Sequence, residues 1–170
     1  MAASQRLPLP SLIGLLAALG STGMLGGALY FQYLLGLAPC EMCHWQRWPH
    51  IASIVVGLLA FTSFARPGLA ATFAGLAVAA LAVTSAIGLI HAGVELHWWQ
   101  GPQTCTGTIP RGLSADELKK YLFGARMVRC DDIVWSLWGI SMAGWNAVLS
   151  GVLALALGFG LAGGAGVVRR

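Results

Sequence analysis

The sequence predicts an all-α integral membrane protein, a bundle of four transmembrane helices with a short amphipathic helix in the second outer loop. Two observations of composition and one of arrangement carry that prediction. Hydrophobic residues make up 57% of the 170-residue chain and charged residues only 9%, against roughly 25% charged in soluble domains. So few charges cannot cover a water-facing surface. The apolar residues also gather into long runs, separated by short polar segments. The formal charge of +4 comes from scattered basic residues without a basic stripe, which argues against a nucleic-acid surface and fits a basic excess at membrane edges. One domain over residues 1–170 is expected.

The first span is expected over residues 12–37, apolar apart from Ser21, Thr22, Gln32 and several glycines. It exceeds the ~20 residues that cross a ~30 Å hydrocarbon core. A signal peptide competes, with Arg6 as its basic start and a small-residue site near Gly20-Ser21. The apolar stretch runs well past such a site, so a retained span is expected. The second span is expected over 43–65. Its apolar run, Ile51 to Ala65, is short by itself and reaches full length only if the helix starts near Cys40 to Cys43. Pro39 suits the first helical position, where a missing N–H is no loss. Pro49 then falls inside the helix and is expected to kink or break it. The third span, 69–90, is rich in alanine and glycine, which suits close packing in lipid. The fourth, 143–168, ends at Arg169-Arg170.

Four spans place both termini on one side and loops 38–45 and 91–141 on the other. The basic residues do not orient the bundle cleanly. Arg6, Arg66, Arg169 and Arg170 fall on the terminal side, against Arg47, Arg111, Lys119, Lys120, Arg126 and Arg129 on the loop side. Several of the latter lie far from span ends, where the positive-inside rule weakens. The cysteines decide instead: disulfide chemistry belongs on an oxidising face, so the termini are expected to be cytoplasmic. Within the long loop, Ser114-Ala115-Asp116-Glu117 reads as a capping box, with Leu113 and Leu118 placed as a hydrophobic staple. Leu118, Tyr121, Leu122 and Ala125 continue at helical spacing, which gives the surface-lying amphipathic helix. All seven tryptophans fall on the loop side. Aromatic belts form at both interfaces, so this one-sidedness hints at a pocket for a flat ligand or a docked partner.

The chemistry concentrates in Pro39-Cys40-Glu41-Met42-Cys43-His44-Trp45-Gln46-Arg47. Free cysteine packs as a small hydrophobe, yet all four cysteines stand in or beside polar connections, where thiols react. Cys-x-x-Cys spacing lowers thiol pKa values, and a helix N-terminus favours the thiolate further. Arg47, four residues after Cys43, shares its helix face; it suits either a thiolate partner or an arginine reaching toward headgroups. Cys105 and Cys130 form the second pair. As a plain staple their disulfide would be worth about 3.5 kcal/mol, but two dithiols on one face can also exchange through mixed disulfides. Two alternatives stay open on these residues. Cys40-x-x-Cys43-His44 matches the c-type haem attachment pattern, with His50, His91 or Met42 as a second axial ligand. The four cysteines could also form a structural zinc module, although Cys105 and Cys130 lack knuckle spacing.

With these motifs the chain resembles the DsbB family of disulfide bond formation proteins of bacterial inner membranes. The resemblance rests on Cys40 to Arg47 before span two, a cysteine pair in the second outer loop, and Ser141-Met142-Ala143-Gly144-Trp145-Asn146; His91 and Trp135 also stand where that family tends to have such residues. Pro49 and His44 depart from its usual pattern. The resemblance implies a dithiol:quinone oxidoreductase that re-oxidises a periplasmic thioredoxin-fold partner, a DsbA-like protein, with ubiquinone or menaquinone as acceptor and no metal. It implies a partner attack on Cys105–Cys130, most simply at Cys105. Cys130 then attacks Cys40, and Cys43 is released to face a quinone held near Arg47, with His91 a weaker candidate for the quinone pocket. It also implies an inner-membrane location with periplasmic redox loops.

Overall fold

A computed structural model describes residues 7–106, 114–116, 119 and 128–168, the last five by backbone alone. Four long helices make up most of it: α1 (Leu9–Tyr33), α2 (Glu41–Thr62), α3 (Pro67–Glu95) and, after a short α4 (Gln103–Thr106) and a two-stranded hairpin, α5 (Met142–Val168). α1, α3 and the Met142–Gly163 part of α5 are long and apolar enough to cross a membrane. α2 falls short on composition because its first three turns carry His44, Gln46, Arg47 and His50. The expected amphipathic helix after Ser114 lies largely outside the described residues.

The packing is inside-out relative to a soluble bundle. Ala17, Ala60, Ala70, Ala74 and Ala77, with Ser11, Ser21, Ser53, Thr84 and Ser150, are fully buried, whereas Leu16, Leu19, Val152, Leu155 and Phe159 point outward. Between helices in lipid there is no water to expel, so close approach of small residues supplies the attraction and large aliphatic side chains meet the tails. A Cβ at Gly57 would lie 2.5 Å from the Gly14 carbonyl oxygen; glycine there sets the α1–α2 crossing. A Cβ at Gly88 would lie 3.0 Å from the Ala143 carbonyl oxygen, and this sets α3 against α5.

Several helix ends differ from the expected spans; two of them, and the course of α2 through Pro49, bear on the site. α2 begins at Glu41, with Cys40 rather than Pro39 at its start: the Cys40 sulfur accepts the N–H of Cys43 at 3.2 Å, as a serine or aspartate cap would. The helix also continues through Pro49. Proline leaves the carbonyl four residues back without its donor. Here that is Trp45, at the exposed end, while the next carbonyl, Gln46, accepts from Thr84 Oγ1 of α3 at 2.9 Å. Neighbouring threonines re-satisfy proline-containing helices in this way. Finally, α3 runs to Glu95, so His91 and Glu95 belong to a helix and not to the loop. His97, at φ 58°, ends it: its N–H bonds to Val94 O at 3.0 Å and the Trp98 N–H to Gly93 O at 2.9 Å, a Schellman stop with histidine where glycine is usual.

β1 (Ser136–Leu137) and β2 (Ile140–Ser141) pair antiparallel across Trp138 and Gly139, which both have positive φ. That is the two-residue turn whose twist matches paired strands. The Trp145 indole donates to Leu137 O at 3.2 Å, so the hairpin is fastened over the start of α5.

Candidate functional site

Two structures converge at the loop-side end of the bundle: a cysteine cluster and, beside it, a cavity. In the cluster, Cys40, Met42, Val94, Cys105 and Cys130 are buried together, with Cys43 and Val128 packed against them. Cys105, on α4, is bonded to Cys130. The two chain segments also meet through the Cys130 N–H, which donates to Cys105 O at 3.1 Å. Cys40 and Cys43 are free thiols. The decisive distance is between the pairs: Cys40 Sγ, Cys130 Sγ and a ring nitrogen of His91 all lie within 4.8 Å of one another. One sulfur of each pair is therefore a short displacement from the other.

The Cys40 thiol donates to Cys43 Sγ at 2.9 Å. That bond and burial push the Cys40 pKa far above its ordinary value, because ionisation would break the bond and bury a charge. Cys40 thus keeps its proton while Cys43 Sγ is the acceptor. His91 Nε2 faces Cys40 Sγ at 3.5 Å and Glu95 Oε1 at 3.9 Å, and Glu95 in turn accepts from Ser141 Oγ.

The cavity measures about 640 Å³ and is bounded by α1, α2, α5 and the hairpin. Its wall is mostly apolar: Phe31, Leu37, Met142, Leu149 and three tryptophans, Trp135, Trp138 and Trp145. Gly23 and Gly27, which line it from α1, have nothing within 4 Å of an added Cβ, so here small residues make room instead of making contact. Phe31 and Trp135 pack with their rings tilted by 54° and their centroids 4.8 Å apart. Polar groups are few and come from one helix face plus one neighbour: Cys43, Gln46, Arg47, His50 and Asn146. Arg47 Nη1 donates to Gln32 Oε1 at 2.6 Å. Arg47 Nε and His50 Nδ1 are buried without a partner. Leaving a buried polar group unpaired costs about 1–3 kcal/mol, so both nitrogens call for a ligand.

Of the residues expected from sequence, Cys40, Cys43, Cys105 and Cys130 are brought into one cluster, and Cys43 and Arg47 onto the cavity wall. His91 is not among the lining side chains; it stands behind them, against Cys40. His44 is exposed. Gln46, Glu95, Ser141 and Asn146 were not singled out for the site by sequence, and His50 was considered only as an axial ligand in the haem alternative. The Ser141–Asn146 segment gave a family signal, but the partners of these side chains lie 45 to 100 residues apart along the chain.

The site's geometry agrees with the comparisons. A family model for "Disulfide bond formation protein DsbB" matches residues 10–160. The chain belongs to the DsbB family. Proteins named disulfide bond formation protein B are similar over most of its length. The one from Marinobacter nauticus is 31% identical over 140 residues, covering 77% of this chain and 79% of the relative. That from Aromatoleum aromaticum is 33% identical over 139 residues, 74% and 76% of the two chains. That from Idiomarina loihiensis is 34% identical over 145 residues, 79% and 75%. No solved structure matches. DsbB proteins are thiol oxidoreductases, and the four clustered cysteines fit that chemistry. None of these relatives is named a cytochrome or a zinc protein. The Cys105–Cys130 bond also takes two sulfurs out of any four-cysteine zinc site in this state.

Proposed function

We propose that the protein is a membrane dithiol:quinone oxidoreductase that re-oxidises a periplasmic, DsbA-like thioredoxin-fold partner. In this proposal α2 is a fourth span, its polar first turns lying in the interface. The termini are cytoplasmic and both cysteine pairs face the periplasm of a bacterial inner membrane. The observation that carries it is the approach of Cys130 Sγ to Cys40 Sγ, within 4.8 Å, with Cys43 on the wall of an aromatic cavity.

The partner's thiolate attacks Cys105, breaking the Cys105–Cys130 bond and freeing Cys130 as a thiolate. A polar groove beside Cys105, lined by Trp98, Trp99, Gln103 and Thr106, suits an extended segment of that partner. Cys130 attacks Cys40 of an oxidised Cys40–Cys43 pair and releases Cys43. The partner's second thiol then displaces Cys105, leaving the partner oxidised, and Cys105 recaptures Cys130 from Cys40. Two electrons now rest on Cys40 and Cys43, the state in which Cys105–Cys130 is bonded and the other two thiols are free.

A quinone, ubiquinone or menaquinone, supplies a sink for two electrons and two protons in this scheme. The cavity fits such a group. Its aromatic walls suit a flat ring, and the unpartnered Arg47 Nε suits a carbonyl oxygen that gains negative charge. Cys43 reaches the cavity as the electron donor, Cys40 holds a proton beside it, and His91 steadies Cys40 through Nε2.

Anaerobic turnover of purified protein tests the proposal, using a reduced thioredoxin-fold donor and each quinone in turn. Stoichiometric donor disulfide with loss of quinone absorbance is expected. Donor oxidation that needs no quinone, or none with any quinone, would contradict it.

A further inference from the structure

We propose that His50 joins Arg47 in contacting the acceptor in the cavity and moves a proton there through its Nδ1 atom, an inference that rests on the quinone function above. His50 is 3% exposed and lines the cavity, and its Nδ1 has no partner. The state of its other nitrogen follows from two backbone carbonyls. Gln46 Nε2 faces Met42 O at 3.4 Å, and Asn146 Nδ2 faces Thr84 O at 3.3 Å. Carbonyls only accept, so each amide must turn its nitrogen to them. Asn146 Nδ2 then donates to Gln46 Oε1 at 2.7 Å, and Gln46 Nε2 donates to His91 Nδ1 at 2.8 Å. Asn146 Oδ1 is left facing His50 Nε2 at 2.9 Å, which must therefore carry the hydrogen. Neutral His50 consequently presents a bare lone pair at Nδ1.

The same amides fix the neutral form of His91 the other way, with its hydrogen on Nε2 toward Cys40. Primary amides do not shuttle protons readily, so this chain is not a wire. It sets two histidines in complementary states, one at the thiols and one at the cavity.

Proton balance gives His50 its task. Forming the Cys40–Cys43 disulfide releases two electrons and two protons, and a quinone takes up both of each. Among the described residues the ionisable side chains on the cavity wall are Cys43, Arg47 and His50, all from α2; α1, α5 and the hairpin contribute none. Cys43 gives the electrons, and arginine does not release a proton in proteins. His50 takes onto its bare Nδ1 one of the two protons released by the dithiol and hands it to one oxygen of the acceptor, the other proton going to the acceptor's second oxygen, so His50 ends as it began. Bare again, Nδ1 accepts the hydroxyl of the reduced ring.

Two measurements on quinone-stripped full-length protein test this, with a short-chain benzoquinone as probe. In His50→Gln, tryptophan fluorescence quenching should show near-parental binding, since glutamine keeps a polar head. The rate of benzoquinone reduction should fall by roughly 100- to 10,000-fold, the usual worth of a positioned general acid. An unchanged rate would overturn the role of His50 and leave the quinone function standing. Should His50→Gln not fold, the parent protein with ¹⁵N-labelled histidine still decides. Binding of the hydroquinone should shift the His50 Nδ1 resonance away from its bare-nitrogen position, and a stationary resonance would overturn the proposal. A parent that neither binds nor reduces the quinone would instead sink both.

Discussion

Cys40 and Cys43 are held by a helix start, whereas Cys105 and Cys130 are held by a loop. The first pair has its spacing set by backbone: a cap bond from the Cys43 N–H, a helix behind it, and Gln46 braced across to His91 of α3 and Asn146 of α5. The second pair joins a one-turn helix to a segment where Arg129 pairs with Asp131 near the surface. Under the proposed function, the difference matches what each pair would meet. A soluble partner needs an exposed groove and a disulfide that can shift, while an acceptor in the lipid phase needs a thiol fixed against a cavity. Proximity alone does not specify direction. The proposed direction rests on the cavity, which among the described residues touches Cys43 and neither cysteine of the loop pair.

Removing the fixed pair's cavity thiol breaks this contrast most severely. Cys43→Ser should abolish quinone reduction yet still form a mixed disulfide with the partner through Cys105, visible on a non-reducing gel; continued turnover would mean the pairs are not divided in labour. Arg47→Ala should act next. A hydrogen bond to a charged group is worth about 1.5–3 kcal/mol, so the apparent KM for quinone should rise by roughly 10- to 150-fold, with the donor's KM unchanged. Equal effects on both substrates would place Arg47 outside the acceptor site.

The smallest effect concerns the proton on Cys40. In the folded, reduced protein its pKa lies above the ordinary 9.0, so above that pH the unfolded chain has lost a proton that the native state keeps. Stability of the reduced form should therefore decline as pH rises past 9.0. Cys43→Ala removes the first cause of the shift, so it should flatten that decline and speed alkylation of Cys40. Denaturation midpoints between neutral and alkaline pH check both, and a slope unaffected by Cys43→Ala would show that burial alone holds the proton.

Much of this was legible in the sequence, for stated reasons. The apolar run after Ile51 was too short for a span, which forced α2 back to the cysteines and placed Cys43 in its first turn. One-sided tryptophans pointed to a pocket, and Trp135, Trp138 and Trp145 line one. What escaped was whatever depends on contacts between distant segments. Glu95 and His91 read as loop because charge in an apolar helix is costly, a cost offset here by Ser141, Gln46 and Cys40. Pro49 read as a kink or a break because the Thr84 hydroxyl that serves the neighbouring carbonyl lies on another helix. Gly23 and Gly27 read only as breaks in an apolar run, since composition does not mark a residue as part of a cavity wall.

The central claim is that the two pairs exchange through Cys130 and Cys40. A Cys43→Ser/Cys105→Ser double variant leaves those two sulfurs as the only cysteines, so oxidised protein can be digested without reduction and its peptides mapped. A Cys40–Cys130 link within one chain is predicted, from sulfurs already within 4.8 Å. Two thiols that both remain open to alkylation would contradict it.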